Sequence, residues 1–389
     1  MLAETGTMEK GKLITWIAAM CVTVTYISDV QAGNWQEFPV YTTSDDQQAP
    51  DIYGNVIVWE QFVDEDFNIY GADITYPADP FVFVIDGDPN HQVAPSIYES
   101  TVVWQSYVET DWDIWAADIT DQNIPQYFVV SEYVDINEET PTVHGNIVVW
   151  QDDYLGDWDV VGADITDPCN PAEFFIATYD SNQSVPAVYR NTVIWQDDFL
   201  GDLDLFATDI WQRNKPVEFP VSLVEYDQEQ PVIYANIVVW QDNYFGDWDI
   251  YAADISDPGN PVEIAVTTDI SWQINPDIDR NIIVWQDNRN DNWDIYGFNL
   301  TTRQEFQITD SPGDEENPAI SGNVVVWQDN RNEHWNIYAV ILDGPEVAQC
   351  TSWIPGDVDG DCRFNFADFS VIAGYWLECN LEPKEACWQ

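Results

Sequence analysis

Pro231-Val-Ile-Tyr-Ala-Asn236-Ile-Val-Val-Trp240-Gln-Asp242, then Asn243-Tyr-Phe-Gly-Asp247, Trp248-Asp-Ile-Tyr-Ala-Ala-Asp-Ile255 and Pro261-Val-Glu-Ile-Ala-Val-Thr267, is the clearest copy of a phrase that recurs seven times. The copies are anchored on Trp59, Trp104, Trp150, Trp195, Trp240, Trp285 and Trp327. Such a period marks a repeat architecture, in which each unit buries its faces against its neighbours. Each copy reads as four short strands, a to d. Strand a ends at a two-residue turn whose second residue is usually Asn, as at Gly54-Asn55, Ala235-Asn236 and Gly322-Asn323. Asn tolerates the positive φ of tight hairpins. Strand b, Ile-Val-Val-Trp, is an unbroken β-branched run, which predicts burial on both faces. Strand c alternates, with Trp248, Ile250 and Ala252 on one face and Asp249, Tyr251 and Ala253 on the other.

A radial ring covers both faces of every sheet. The expected fold is therefore all-β, a seven-bladed β-propeller of four-stranded blades over residues 35–349. Glu37-Phe-Pro-Val-Tyr-Thr-Thr-Ser44 looks like a strand d without its own a, b and c, and it is expected to complete the seventh blade. An open β-solenoid is the alternative, and it leaves that strand without a role. The phrases Asn-Ile-Val-Val-Trp-Gln-Asp-Asn and Trp-Asp-Ile-Tyr-Ala-Ala-Asp-Ile resemble TolB-type propeller repeats, particularly those of secreted and cell-surface proteins. The resemblance implies a fold and an extracellular interaction role, not one chemistry, because propellers host many functions.

The 389 residues hold 70 Asp and Glu against 11 Lys and Arg, a formal charge of -59 at pH 7. Nucleic acid is excluded as a partner, since phosphate binding needs a basic footprint. Disorder is contradicted by 45% hydrophobic residues, 20 Trp among them, whose burial offsets chain entropy. Residues 1–32 read as an export signal: Lys10 and Lys12, an apolar run from Leu13 to Thr25, and the small-residue cleavage site Val30-Gln31-Ala32. The chain is expected to be secreted, periplasmic or at the cell surface, monomeric, and without a membrane span after signal removal. A lipoprotein reading would use Cys21, but Met20 before it suits lipid attachment poorly.

In this scheme the b–c turns and d–a connections emerge on one face of the disc, and acids gather there. They include Asp152, Asp153 and Asp157; Asp197, Asp198 and Asp202; Asp242 and Asp247; and Asp287, Asp291 and Asp329. The d–a connections add Glu138, Glu139, Asp227, Glu229, Asp314, Glu315 and Glu316. Tyr154, Phe199 and Tyr244, with Leu155, Leu200 and Phe245, stand at the b–c tips. In one reading this rim binds a cationic or Ca²⁺-bridged ligand, with the aromatics as platforms for sugar or protein. In the other, Asp and Gly build turns, the aromatics pack on adjacent blades, and the charge maintains solubility. The residues opening strand c, Trp112, Trp158, Trp248, Trp293 and Trp335, with Phe67 and Leu203 in two copies, recur as packing residues do.

Beyond Ile354, in residues 355–389, the pattern changes to Pro355-Gly-Asp357-Val-Asp359-Gly-Asp361-Cys-Arg-Phe-Asn365-Phe-Ala-Asp368. Acids at loop positions 1, 3, 5 and 12 and Asn at 9 match the oxygen spacing of an EF-hand Ca²⁺ loop, with the carbonyl of Arg363 at position 7. Phe366, Phe369, Ile372, Ala373, Trp376 and Leu377 follow at helical spacing. The segment resembles a dockerin type I repeat, with Cys362 at position 6 in place of Gly and Asp in place of Glu at position 12. The resemblance implies calcium on Asp357, Asp359, Asp361, Asn365 and Asp368, and docking to a cohesin-like partner, often in polysaccharide-degrading assemblies; one copy is visible where that family pairs two. Cys350, Cys362, Cys379 and Cys387 suggest two disulfides with three possible pairings.

Catalysis needs residues that break the repeat. Arg289, Arg331 and His334, at the b–c turns of blades 6 and 7, are the best cluster, where two cations could neutralise a uronate and an imidazole could move a proton. Asn288-Arg-Asn290 and Asn330-Arg-Asn332 nevertheless read as variants of one turn. The preferred reading is a non-catalytic interaction protein with an acidic binding face; the alternative is a polysaccharide lyase or glycoside hydrolase on a propeller.

Overall fold

A computed structural model describes residues 35–212 and 217–343. The expected export signal, the Ca²⁺ loop with all its ligands, and the four C-terminal cysteines lie outside these residues. The described residues form seven antiparallel four-stranded sheets, consecutive in sequence over 47–86, 92–131, 138–177, 183–222, 228–267, 273–307 and 315–341. The seventh sheet gains its fourth strand from Glu37–Tyr41, which pairs with Asn336–Ile341. The expected propeller and its closure by the N-terminal strand are both present.

The anchoring tryptophans explain why the sheets stack. All seven are at most 1% exposed. Each lies in a hydrophobic cluster shared by two neighbouring blades: Trp240, for example, joins Ile194, Leu205 and Val221 of blade 4 to Val238 and Ile255 of blade 5. Seven such clusters join the seven blades around the ring, the last uniting Val40, Val326 and Ile337 with Ile52 and Trp59. Truncating one of these tryptophans to alanine would cost about 3–5 kcal/mol by the usual cavity penalty.

A polar ring reinforces the apolar one. In every strand a, the residue before a proline has positive φ: Ala49, Ala94, Thr140, Val185, Gln230, Asn275 and Asn317. Its freed backbone N–H donates to the Gln or Glu that follows the tryptophan in the preceding blade. The bonds run Ala94 to Glu60 (3.2 Å), Thr140 to Gln105 (2.8 Å), Val185 to Gln151 (2.9 Å), Gln230 to Gln196 (3.2 Å), Asn275 to Gln241 (3.0 Å) and Asn317 to Gln286 (2.8 Å). Ala49 to Gln328, at 3.0 Å, closes the circle. The following proline has no N–H to offer and sits where an edge strand tolerates it. Gln196→Leu leaves the part-buried Gln230 N–H without its acceptor, so a loss of about 1 kcal/mol is expected in urea unfolding, with circular dichroism unchanged before the transition.

The a–b turns differ from expectation in one respect. Positive φ falls on the first turn residue, such as Gly54, Gly145, Arg190, Ala235, Arg280 and Gly322, and not on the Asn after it. That is the type II′ pattern, in which only the first central residue needs φ > 0. The carbonyl of the second residue instead accepts the N–H that follows strand c, as from Ile255 to Asn236 (2.8 Å) and Leu342 to Asn323 (2.7 Å).

Candidate binding site at the channel mouth

Strand a is innermost in each blade, so its last residue reaches the mouth of the axial channel at the a–b turn. These residues are Tyr53, Tyr98, His144, Tyr189, Tyr234, Asp279 and Ser321. Together with Asn55, Arg280, Gly322 and Asn323 they line a cavity of about 510 Å³. Five of the seven are aromatic and form an unbroken arc over blades 1 to 5. Ring centroids are 4.7 Å apart from Tyr53 to Tyr98, 4.1 Å to His144, 4.5 Å to Tyr189 and 5.0 Å to Tyr234, with planes tilted by 39° to 55°. Tilted, offset rings at these separations attract one another.

Burial and the nearby Arg190 hold the His144 imidazole down at about 4, so it is neutral at physiological pH. Burial and the neighbouring Tyr53 push the Tyr98 hydroxyl up to about 12, and Tyr234 is raised by burial and by Tyr189. The arc is therefore uncharged and hydroxyl-rich. Its gap, at blades 6 and 7, is polar. Asp279 accepts the Gly322 N–H, and Ser321 Oγ accepts the Gly54 N–H at 2.9 Å.

Two residues further down the same face of strand a, Asp51 and Asp277 stand in the channel. Each accepts backbone N–H groups from its own strand and the next blade, Ile52 (2.7 Å) and Ile97 (2.8 Å) for Asp51, Ile278 (2.8 Å) and Ile320 (2.7 Å) for Asp277. Burial raises them to about 6 and about 7, and the Asp51 charge adds to the rise at Asp277.

The opposite face carries the acidic rim. Many of its carboxylates serve the fold. Asp152, Asp197, Asp242, Asp287 and Asp329 are at most 4% exposed, and each accepts the N–H two residues later, closing the b–c turn. Asp153 and Asp198 clasp Asn137 and Asn182 of the adjoining d–a connections. The tip residues Tyr154, Leu155, Phe199, Leu200, Tyr244 and Phe245 stay 45–67% exposed, although Tyr154 and Tyr244 touch Tyr133 and Tyr226 of the adjoining d–a connections. The turn-building reading accounts for much of the acid and leaves the aromatic tips open to a partner. The tryptophans that open strand c are half-buried. Their backbone carbonyls accept the first N–H of the next blade, as from Gln183 to Trp158 and Gln273 to Trp248, both at 2.7 Å.

Arg289, Arg331 and His334 have separate partners. Arg289 binds Asp287 and Glu305, Arg331 binds Asp329 and Glu37, and His334 lies 3.5 Å from Asp46. Both guanidinium groups are neutralised inside their own blades. The channel-mouth residues were not singled out from the sequence, although strand a ends in Tyr in four copies and in His, Asp and Ser in the other three; a position that varies inside an otherwise regular repeat was the available signal.

No family model and no curated relative matches the chain. Solved structures do. An oligogalacturonate lyase from Vibrio parahaemolyticus is similar with TM-score 0.60 and 12% identity, over 82% of this chain and 99% of that one. A puromycin-hydrolyzing peptidase from Mycobacterium tuberculosis gives 0.55 and 11%, over 74% of this chain and 49% of that one. TolB from Acinetobacter baumannii gives 0.47 and 12%, over 65% of this chain and 62% of that one. The chain thus spans about half of the peptidase and under two thirds of TolB. At these identities the likeness is one of fold.

Proposed function

We propose that the chain is an exported, non-catalytic propeller that binds a neutral glycan at the channel mouth and is attached by its Ca²⁺-binding tail to a cohesin-like partner in an extracellular polysaccharide-processing assembly. The supporting observation is the aromatic arc around the mouth cavity. A sugar ring has apolar C–H faces and hydroxyl edges; tyrosine rings suit the first, and Asn55, Asp279, Ser321 and Asn323 suit the second. Neutral glycans are preferred because Asp279 and Arg280 offset each other at the mouth, while the protein's net charge of -59 repels anionic ones. A binding role fits the mouth's imidazole, which burial holds neutral between two aromatic rings and away from the pH range useful to a general acid.

Calorimetric titration of the full chain with a panel of neutral and acidic oligosaccharides, with products followed in parallel, tests this. Binding of a neutral glycan without turnover is expected, weakened roughly tenfold in Tyr189→Ala, about 1.4 kcal/mol. Sustained product formation would replace it with the lyase or hydrolase reading. For the tail, capture of the full chain on an immobilised cohesin is expected in Ca²⁺ and is expected to vanish in chelator.

A further inference from the structure

Blades 6 and 7 carry a built-in cation beside the end of strand b. Arg289 and Arg331 each stand two residues after an Asp and donate a backbone N–H back to it, at 2.9 Å to Asp287 and 2.8 Å to Asp329. Each guanidinium lies over a strand-c tyrosine, 4.3 Å from the centre of Tyr296 and 4.4 Å from that of Tyr338. Carboxylates hold it in place. Arg289 pairs with Asp287 (2.5 Å) and Glu305 (2.6 Å); Arg331 pairs with Asp329 and Glu37 (2.7 Å), with Glu315 at 3.7 Å.

Strand register identifies the same positions in blade 3. Asp152 corresponds to Asp329, Glu138 to Glu315, Glu173 to Glu37, and Val161 to Tyr338. Tyr154 takes the place of the arginine and makes the same turn bond, to Asp152 at 3.1 Å. Blade 3 therefore keeps all three carboxylates that surround Arg331 but lacks both the guanidinium and the ring beneath it. Blades 4 and 5 also lack the arginine, but they keep an aromatic ring in Phe206 or Tyr251 and have neutral Gln183 or Gln228 at the Glu138 position.

The missing groups leave space. A cavity of about 330 Å³ opens in blade 3, lined by Tyr133, Asp152, Tyr154, Val161, Glu173 and Phe174, among others. Beside it, fully buried Glu138 has one carboxylate oxygen without a partner, and Asp159, 1% exposed, has two. The Glu138 Oε1 that does have a partner shares the Ser131 hydroxyl with Glu173, which ties this buried acid to the cavity wall.

We infer that the blade-3 cavity is a binding slot for a guanidinium group, which takes there the place that Arg331 fills in blade 7. Asp152 and Glu173 supply the carboxylates for its planar fork. Tyr133 and Tyr154, 5.9 Å apart and tilted by 49°, supply aromatic faces on which guanidinium stacks. A metal ion fits less well, because among the described residues no three His, Cys, Asp or Glu are gathered closely enough to hold one. The slot is on the opposite face from the channel mouth and stands whether or not that mouth binds glycan.

Calorimetry on the full chain, kept in Ca²⁺ throughout, tests the slot with N-acetyl-L-arginine amide and with a glycine-flanked arginine peptide. Both are expected to bind, the amide with a dissociation constant on the order of 1 mM. A peptide at least tenfold tighter identifies an arginine presented by a protein; equal affinities identify a free guanidinium compound. Tyr154→Arg is expected to abolish binding and to raise the melting temperature, because its own guanidinium fills the slot. Glu173→Gln is expected to weaken binding at least tenfold with an unchanged circular dichroism spectrum. Equal binding to wild type and Tyr154→Arg, or no binding by folded wild type at tens of millimolar amide, would overturn the inference. So would Ca²⁺ uptake that Tyr154→Arg abolishes in a protein indifferent to the amide.

Discussion

Val40→Asp is expected to leave the chain unable to complete its ring, with the melting temperature down by roughly 15 °C or more, or the protein insoluble. Val40 is 4% exposed and lies in the core between blades 7 and 1, with Trp59, Ile52 and Ile337. An aspartate there buries a carboxylate with no cation beside it, a penalty of several kcal/mol against a total stability of about 5–15 kcal/mol. The damage extends beyond one side chain, because the strand Glu37–Tyr41 is the clasp. It pairs along Asn336–Ile341, its Glu37 binds Arg331, and the neighbouring Trp35 donates to the Asp343 carbonyl at 2.6 Å. Gln47 and Ala49 complete the closure through Trp335 and Gln328. Thermal unfolding by circular dichroism measures this, with Val134→Asp as the control: Val134 is 82% exposed and its substitution should shift the transition by no more than a degree or two. A Val40→Asp protein that melts with wild type would mean that the ring does not depend on its clasp.

The second large effect is that the propeller is more stable in mild acid than in mild alkali. Asp113, Asp159, Asp204 and Asp249, at the start of strand c in four blades, are each pushed up to about 7 by burial first and then by neighbouring carboxylates. Glu138 and Glu315 are pushed up to about 8, again chiefly by burial. A carboxylate whose pKa is higher folded than unfolded binds its proton more tightly in the native state. Its stabilising contribution is complete below the ordinary value near 4 and is lost as pH rises through 7 to 8. His144, depressed to about 4, works the other way, adding stability as pH rises from 4 to 6.5, but it is one group against these six and the raised Asp51 and Asp277. The melting temperature is therefore expected to peak near pH 5 and to fall by roughly 10 °C by pH 8.5, less steeply in high salt. A profile that is flat or rises over that interval would show that these carboxylates are ionised at no cost.

How much of this could be read from the sequence follows from what a repeat makes visible. Packing recurs in every copy, so the tryptophans, the β-branched strand b and the seven-fold count were legible, and so was the orphan strand at Glu37. Backbone geometry was only half legible. The Asn of the a–b turn marked a tight hairpin, but the left-handed residue is the one before it, and at Arg190 and Arg280 that is a side chain with no intrinsic preference for positive φ. The Gln ring was hidden for another reason. Its donors are backbone groups freed by a kink before each proline, and a Gln after a Trp does not disclose which blade it will reach.

The candidate sites were the least legible because they arise from departures between copies. Tyr189 and Tyr234 look like repeat residues until the axis gathers them around a cavity with His144 and Asp279. Conversely, Arg289 and Arg331 look exceptional in an acidic chain, and the fold gives each an intrablade partner set. Substitution within the repeat matters most at Val161 and Tyr154, where blade 3 loses a ring and a cation together and a cavity opens.

The most direct measurement is a crystal structure of the full chain soaked with the neutral oligosaccharide that binds best in the panel. Seven closed blades are predicted, with a sugar ring lodged among Tyr98, Tyr189 and Tyr234 at the a–b end of the channel. Sugar seated instead on the acidic rim, or a gap where Glu37–Tyr41 should meet Asn336–Ile341, would contradict it.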